Sequence, residues 1–213
     1  MAILPVIDLG ALWIGDVPVS PTRADFVDEA GSPVAVGEYA SWTAVMYGPT
    51  NTLLGSLAGS DHGNHLDFTW PTETILTTEG VHTIIIKFFD ALGVTVQCEP
   101  WKFVVQKRAS WLSLEQARAQ WADAPLDDIF LYQILDSAKT QCIEYAPALA
   151  ANAVIPTNYL QAQVMQARAL YQSVIVANQN DNVGIEGFAV RVFPLDFTIR
   201  ALLRPKKAIA GMF

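Results

Sequence analysis

The side chains best suited to chemistry are few: three histidines and two cysteines in 213 residues. The run Asp61-His-Gly-Asn-His-Leu-Asp67 sets His62 and His65 three residues apart, with Asp61 or Asp67 beside them. Two imidazole nitrogens and a carboxylate oxygen are a donor set for zinc and similar cations. The same spacing across a glycine-bearing turn is common in ordinary polar turns. No other histidine or cysteine is spaced to complete a set, so a polar turn is the expected reading and no metal is expected. His82 alternates with apolar neighbours, which suits a solvent-facing or hydrogen-bonded strand residue better than a catalytic one.

Other chemistries lack their residues. There is no Gly-rich phosphate loop, no dinucleotide fingerprint, no Gly-x-Ser-x-Gly elbow and no His-Glu-x-x-His helix. Asp127 and Asp128 are adjacent carboxylates, but neighbours on a helix point apart, so they read as helix-start charge rather than a catalytic dyad. Cys98 and Cys142 form no Cys-x-x-Cys motif and are expected as reduced, buried thiols. Neither an enzyme nor a cofactor is expected.

The elements that position these groups change character at Gln106-Lys107-Arg108. Before that point turn signals recur, among them Gly15-Asp16, Gly31-Ser-Pro33, Gly48-Pro49 and Gly63-Asn64. Between them lie strand candidates at 40–47, 66–70, 81–89, 94–98 and 101–105. Leu66, Phe68 and Trp70 alternate with polar residues and should share one face. Short strands at this rhythm predict an all-β immunoglobulin-like sandwich over 1–106.

Beyond the joint the period becomes helical. Ser113-Leu-Glu-Gln116 has the form of a capping box, opening a short helix over 114–122. Asp123 is expected to cap the next helix, with Pro125 in its first turn. Leu131, Ile134, Leu135, Ala138, Cys142 and Tyr145 then form one apolar stripe that Pro147 closes. A third helix is expected over 158–177, with Leu160, Val164, Ala167, Tyr171 and Val174 on one side. Its other side carries Gln161, Arg168 and Gln172, flanked by Gln163 and Gln166. That composition suits either a helix packed on copies of itself or an ordinary exposed face. A short strand is expected at 188–193, and Asp196 should cap a last helix, Phe197–Leu203. The fold class expected is therefore α+β by domain: a sandwich over 1–106, then an all-α domain over 110–213 ending in an extended tail from about 182.

Charge is uneven along the chain, whose net charge is −8. Residues 1–108 carry 12 acids and five bases, residues 109–181 seven and three, and residues 182–213 two and five. The acidic bulk should repel nucleic acid and anionic membrane, leaving only the tail basic. The opening Met-Ala-Ile-Leu-Pro has no basic n-region and is not expected to be a signal peptide. No apolar run approaches the roughly 18–20 residues a membrane helix needs.

Several segments of the second half resemble the head–tail connector (adaptor) proteins of long-tailed double-stranded-DNA phages. They are Trp111-Leu-Ser-Leu-Glu-Gln-Ala-Arg, Asp123-Ala-Pro-Leu-Asp-Asp, Ile134-Leu-Asp-Ser-Ala-Lys, Ile155-Pro, Gln166-Ala-Arg-Ala-Leu-Tyr171 and Ala201-Leu-Leu-Arg-Pro205. The resemblance covers about 110–205, and its order and spacing carry the weight. Residues 1–105 resemble the immunoglobulin-like modules that phages attach to structural proteins, an addition the all-helical connector lacks. The resemblance implies a virion protein of the neck, made in the bacterial cytoplasm. It would form a ring, usually of twelve copies, that binds the portal protein and a downstream neck or tail-completion protein. DNA would pass through without specific binding. The family's C-terminal segment reaches toward the portal, which here implicates Arg200, Arg204, Lys206, Lys207, Ile209, Met212 and Phe213. The alternative is a virion decoration or adhesin that binds a glycan or protein through Trp13, Trp42 or Trp70.

Overall fold

The computed structural model describes residues 2–18, 21–71, 75–108, 110–150, 153–179 and 195–204. The chain divides into two compact units, Met1–Arg108 and Ala109–Phe213.

The first unit, in its described residues, holds nine strands: β1 (Ile3–Ile7), β2 (Leu12–Trp13), β3 (Thr22–Asp28), β4 (Ser41–Tyr47), β5 (Leu53–Asp61), β6 (His65–Thr69), β7 (Gly80–Phe89), β8 (Thr95–Gln97) and β9 (Trp101–Gln106). They do not form the two separate sheets of an immunoglobulin-like sandwich. One hydrogen-bonded path runs β1-β3-β6-β5-β4-β7-β9-β2, with β8 beside β7, and the sheet curls into a half-barrel. The expected fold class, a sandwich followed by an all-α domain, is thus corrected to a curled nine-stranded sheet followed, among the described residues, by four helices.

The cause of the difference is β5. Its first half pairs with β4, from Ala44 opposite Leu57 to Tyr47 opposite Leu53. Its second half pairs with β6, from Ala58 opposite Thr69 to Asp61 opposite Leu66. One strand therefore belongs to both faces and joins them. Gly59 makes this possible, because a Cβ there would collide with the Asp67 carbonyl oxygen. β5 reads Leu-Leu-Gly-Ser-Leu-Ala-Gly-Ser-Asp, a composition with few of the β-branched residues that mark strands.

The inside of the curl is the core. Phe26, Met46, Leu66, Phe68, Ile84, Ile86 and Phe88 are buried. Phe88 meets Phe26 edge-on at 5.3 Å and stacks on Tyr39 at 4.8 Å. Each large side chain withdrawn from water contributes on the order of 1.5–3 kcal/mol. Leu66, Phe68 and Trp70 all point inward, as their alternation requires.

The second unit, in its described residues, is built from α1 (Leu114–Gln120), α2 (Asp128–Tyr145), α3 (Thr157–Gln179) and α4 (Phe197–Leu203). The capping box before α1 is complete: Gln116 N donates to Ser113 Oγ at 3.2 Å and Ser113 N to Gln116 Oε1 at 3.1 Å. α2 starts later than expected. Asp127, not Asp123, is its cap and accepts from Phe130 N at 2.8 Å. Arg118 explains the delay, since its Nη2 donates to the carbonyls of Pro125 (3.1 Å) and Leu126 (2.9 Å) and pairs with Asp128 at 2.7 Å. Those bonds hold 125–126 as a loop.

α2 and α3 run antiparallel. Phe130 at the start of α2 meets Tyr171 late in α3, at 6.0 Å between ring centroids, while Cys142 near the end of α2 packs beside Tyr159 at the start of α3. Gln163 Nε2 donates to Leu135 O at 3.0 Å and Gln166 Nε2 to Gln141 Oε1 at 2.6 Å. Both glutamines are 1% exposed, so they belong to the interior rather than to the flank of an outer face. Gln163 Oε1 also accepts from Leu112 N at 3.1 Å, which ties the entry to α1 onto the hairpin. α4 is capped by Asp196 and buries Ile199 and Leu203 beside Cys142, Tyr159 and Ala162. No helix in the described residues is long and apolar enough to cross a membrane. The strand expected at 188–193 lies outside the described residues.

Candidate functional site

Two places bring together residues that the sequence singled out: the turn between β5 and β6, and the end of α2 beside α4.

His62 and His65 flank a two-residue hairpin turn. His62 N donates to His65 O at 3.0 Å. Gly63 has φ +84°, while Asn64 is not among the positive-φ residues. This is the glycine-first turn that suits the strand twist. Residues directly opposite across such a turn project to the same side, and the pleat adds Asp67, two residues beyond His65. Leu66 and Phe68 point into the core, which leaves His65 and Asp67 on the outer face.

The imidazole rings of His62 and His65 stack, with centroids 4.9 Å apart and planes 15° from parallel. Both Nε2 atoms face one carboxylate: His62 Nε2 lies 3.3 Å from Asp67 Oδ2 and His65 Nε2 lies 3.7 Å from Asp67 Oδ1. The ligand atoms of these three residues lie within 4.8 Å of one another. Asp61 is not part of the group, because its Oδ1 accepts from Gly63 N at 2.6 Å and shapes the turn. The turn is also held from outside. Gly37 N donates to Gly63 O at 2.9 Å, and a Cβ on Gly37 would stand 2.8 Å from Gly63 Cα.

On the neighbouring strand β3, Asp25 lies opposite His65 and Arg23 opposite Asp67. Arg23 is occupied by Asp25, with Nη2 at 2.7 Å and Nε at 2.9 Å from Oδ1. That guanidinium holds the Asp25 carboxyl below the usual carboxylate range.

His82 is fully buried rather than solvent-facing. Its Nδ1 bonds to Gly80 O at 3.1 Å, the ring stacks on Phe103 at 5.5 Å, and Nε2 has no hydrogen-bond partner. Burial pushes its pKa down. Burial likewise raises the thiols, Cys98 to about 12 and Cys142 to about 11.

The tryptophans proposed for recognition differ in availability. Trp70 is 3% exposed and its Nε1 donates to Thr22 Oγ1 at 2.8 Å, so it is a core residue. Trp42 is half-buried and meets Phe68 edge-on, and half-buried Trp13 lies under the Arg108 guanidinium at 6.0 Å.

Of the tail residues named for partner contact, Arg200 and Arg204 are described; Lys206, Lys207, Ile209, Met212 and Phe213 lie outside the described residues. Arg204 Nε donates to Tyr145 O at 2.6 Å, and its guanidinium sits 4.7 Å from the Tyr145 ring centroid. Arg200 lies over the same ring at 5.9 Å. Two cations thus gather at the C-terminal end of α2, where unpaired carbonyls carry negative charge. Arg204 is a structural residue of the helical unit before it is anything else.

α3 has an unusual outer face. Gln161, Met165, Arg168 and Gln172 are exposed, and Arg168 is the sole charged residue in the helix.

No protein-family model matches the sequence, and no curated protein matches it. Among solved structures, the chain is similar to CopC from Methylosinus trichosporium OB3b, with TM-score 0.33 and 16% identity over 52% of this chain and 99% of that one. It is similar to the Lin-41 filamin domain with TM-score 0.28 and 13% identity, over 49% of this chain and 91% of that one. At these scores neither likeness bears on function.

Proposed function

We propose that the protein is a structural component of the phage neck, forming a ring of about twelve copies that joins the portal to the tail and extends the DNA channel. The motif order over 110–205 supports this reading, and the outer face of α3 carries it furthest. A helix facing solvent normally lines that side with charges. α3 runs 23 residues with a single one, and amides with Met165 fill the rest. Such a face suits burial against a neighbouring copy, and contacts of this head-to-tail kind close into rings by rotation. Leu126, Val154 and Phe197 add large apolar side chains that are 92%, 91% and 78% exposed. The acidic balance of the chain would keep affinity for passing DNA low. The role is one of assembly, with the portal on one side and a neck or tail-completion protein on the other.

The experiment is a particle-labelling and capture assay. Antibody-gold on intact virions should mark only the head–tail vertex; label over the whole capsid, or none, overturns the proposal. Portal contact is tested by cutting after Arg204, which preserves its bond to Tyr145. Loss of capture by portal-containing capsids is expected, and unchanged capture removes the tail from the interface.

A further inference from the structure

The geometry points to a transition-metal site at His62, His65 and Asp67, on the outer face of the β5–β6 hairpin and separate from the assembly role. The distances suit a bound cation better than a direct contact. A good hydrogen bond between imidazole and carboxylate spans about 2.7–3.2 Å; here the two separations are 3.3 and 3.7 Å. Donor atoms that share a tetrahedral metal at ~2.0–2.1 Å stand about 3.3 Å apart.

A second contact reinforces this. Asn64 Oδ1 lies 2.7 Å from His65 Nδ1. A hydrogen bond at that nitrogen is the outer support that metal-bound imidazoles use to fix ring orientation.

The surroundings favour a dication. Arg23, opposite Asp67 on β3, gives its hydrogen bonds to Asp25 and reaches Asp67 through space. Asp67 and the neighbouring Asp61 put two carboxylates on the hairpin. The scaffold is rigid where it matters: two paired strands and the Gly37–Gly63 contact hold the turn. Two imidazoles and one carboxylate with open positions on the solvent side suit copper(II) first and zinc(II) next, and do not suit magnesium or calcium.

The test is calorimetric titration of the untagged full-length protein with copper(II) and with zinc(II). One equivalent should bind, copper more tightly than zinc. His62→Ala, His65→Ala and Asp67→Asn should each weaken binding at least about 10-fold, while Asp61→Asn stays within about twofold. Electron paramagnetic resonance of the copper form should show two nitrogen ligands. Because all three side chains face outward, the metal-free variants should melt within a few degrees of the parent. Binding well below one equivalent overturns the site, as does binding that survives the double variant His62→Ala/His65→Ala. In the first case the cluster is an ordinary polar turn, and in the second the metal sits elsewhere.

Discussion

Arg204 closes the helical unit by reaching back across 59 residues to Tyr145, stacking on its ring while donating to its carbonyl. The last described residue of the chain thereby caps the C-terminal end of α2 and fastens α4 onto the α2–α3 hairpin. Arg204→Ala should destabilise the helical unit by about 1–2 kcal/mol, through loss of a charged hydrogen bond and a cation–π contact. Tyr145→Leu keeps the carbonyl and should cost only about 0.5–1 kcal/mol. Urea unfolding followed by far-ultraviolet circular dichroism separates the two.

Gln163 is the internal strut of the same unit. Gln163→Leu leaves the buried Leu112 N–H without an acceptor, a cost of about 1–3 kcal/mol. The Leu135 carbonyl keeps its place in the α2 ladder, so most of the loss should fall on the entry to α1. Hydrogen exchange should show faster exchange at Leu112 and along α1 than along α2.

His82 gives the β unit an acid-sensitive term. Its folded pKa is lowered by burial, so the unfolded chain binds more protons once pH drops below the ordinary histidine value of ~6.5. Stability from this residue is fully present above that value and is lost as pH falls toward the lower folded pKa. Melting temperature should drop across that window in the parent and drop less in His82→Phe, which keeps the stack on Phe103. An equal slope in both proteins would remove His82 as the source.

Neither cysteine should react in the native state. With pKa values near 12 for Cys98 and near 11 for Cys142, almost no thiolate exists at neutral pH, and burial blocks access. A disulfide-exchange reagent at pH 8 should label no thiols on native protein and two after denaturation.

Gly59 is the position on which the single sheet depends. Gly59→Ala drives a methyl into the Asp67 carbonyl and forces β5 and β6 apart, for a loss of about 1–3 kcal/mol. Because Asp67 moves with that carbonyl, the same change should weaken copper binding. Calorimetry on the still-folded variant reads this directly.

What the sequence determined by itself was local. The capping box at Ser113, the Asp196 cap on α4, the apolar stripe of α2 and the inward alternation of Leu66, Phe68 and Trp70 each depend on neighbours within a few residues. Other features were set by partners far along the chain. β5, poor in β-branched residues, became a strand because β4 and β6 supply its hydrogen bonds, and by serving both it merged the faces of an expected sandwich into one sheet. α2 began at Asp128 because Arg118 claimed the carbonyls before it. Gln163 and Gln166 went inside because α2 and Leu112 offered buried partners, a pairing that a helical wheel does not contain. His62, His65 and Asp67 sit within seven residues, so a hairpin reading of Gly63-Asn64 would have put them on one face. Their gathering within 4.8 Å of one another still required the strand register and the Gly37 contact, with the Arg23 hydrogen bonds given to Asp25. Local spacing chooses which side of an element a residue takes, and distant packing decides what stands opposite it.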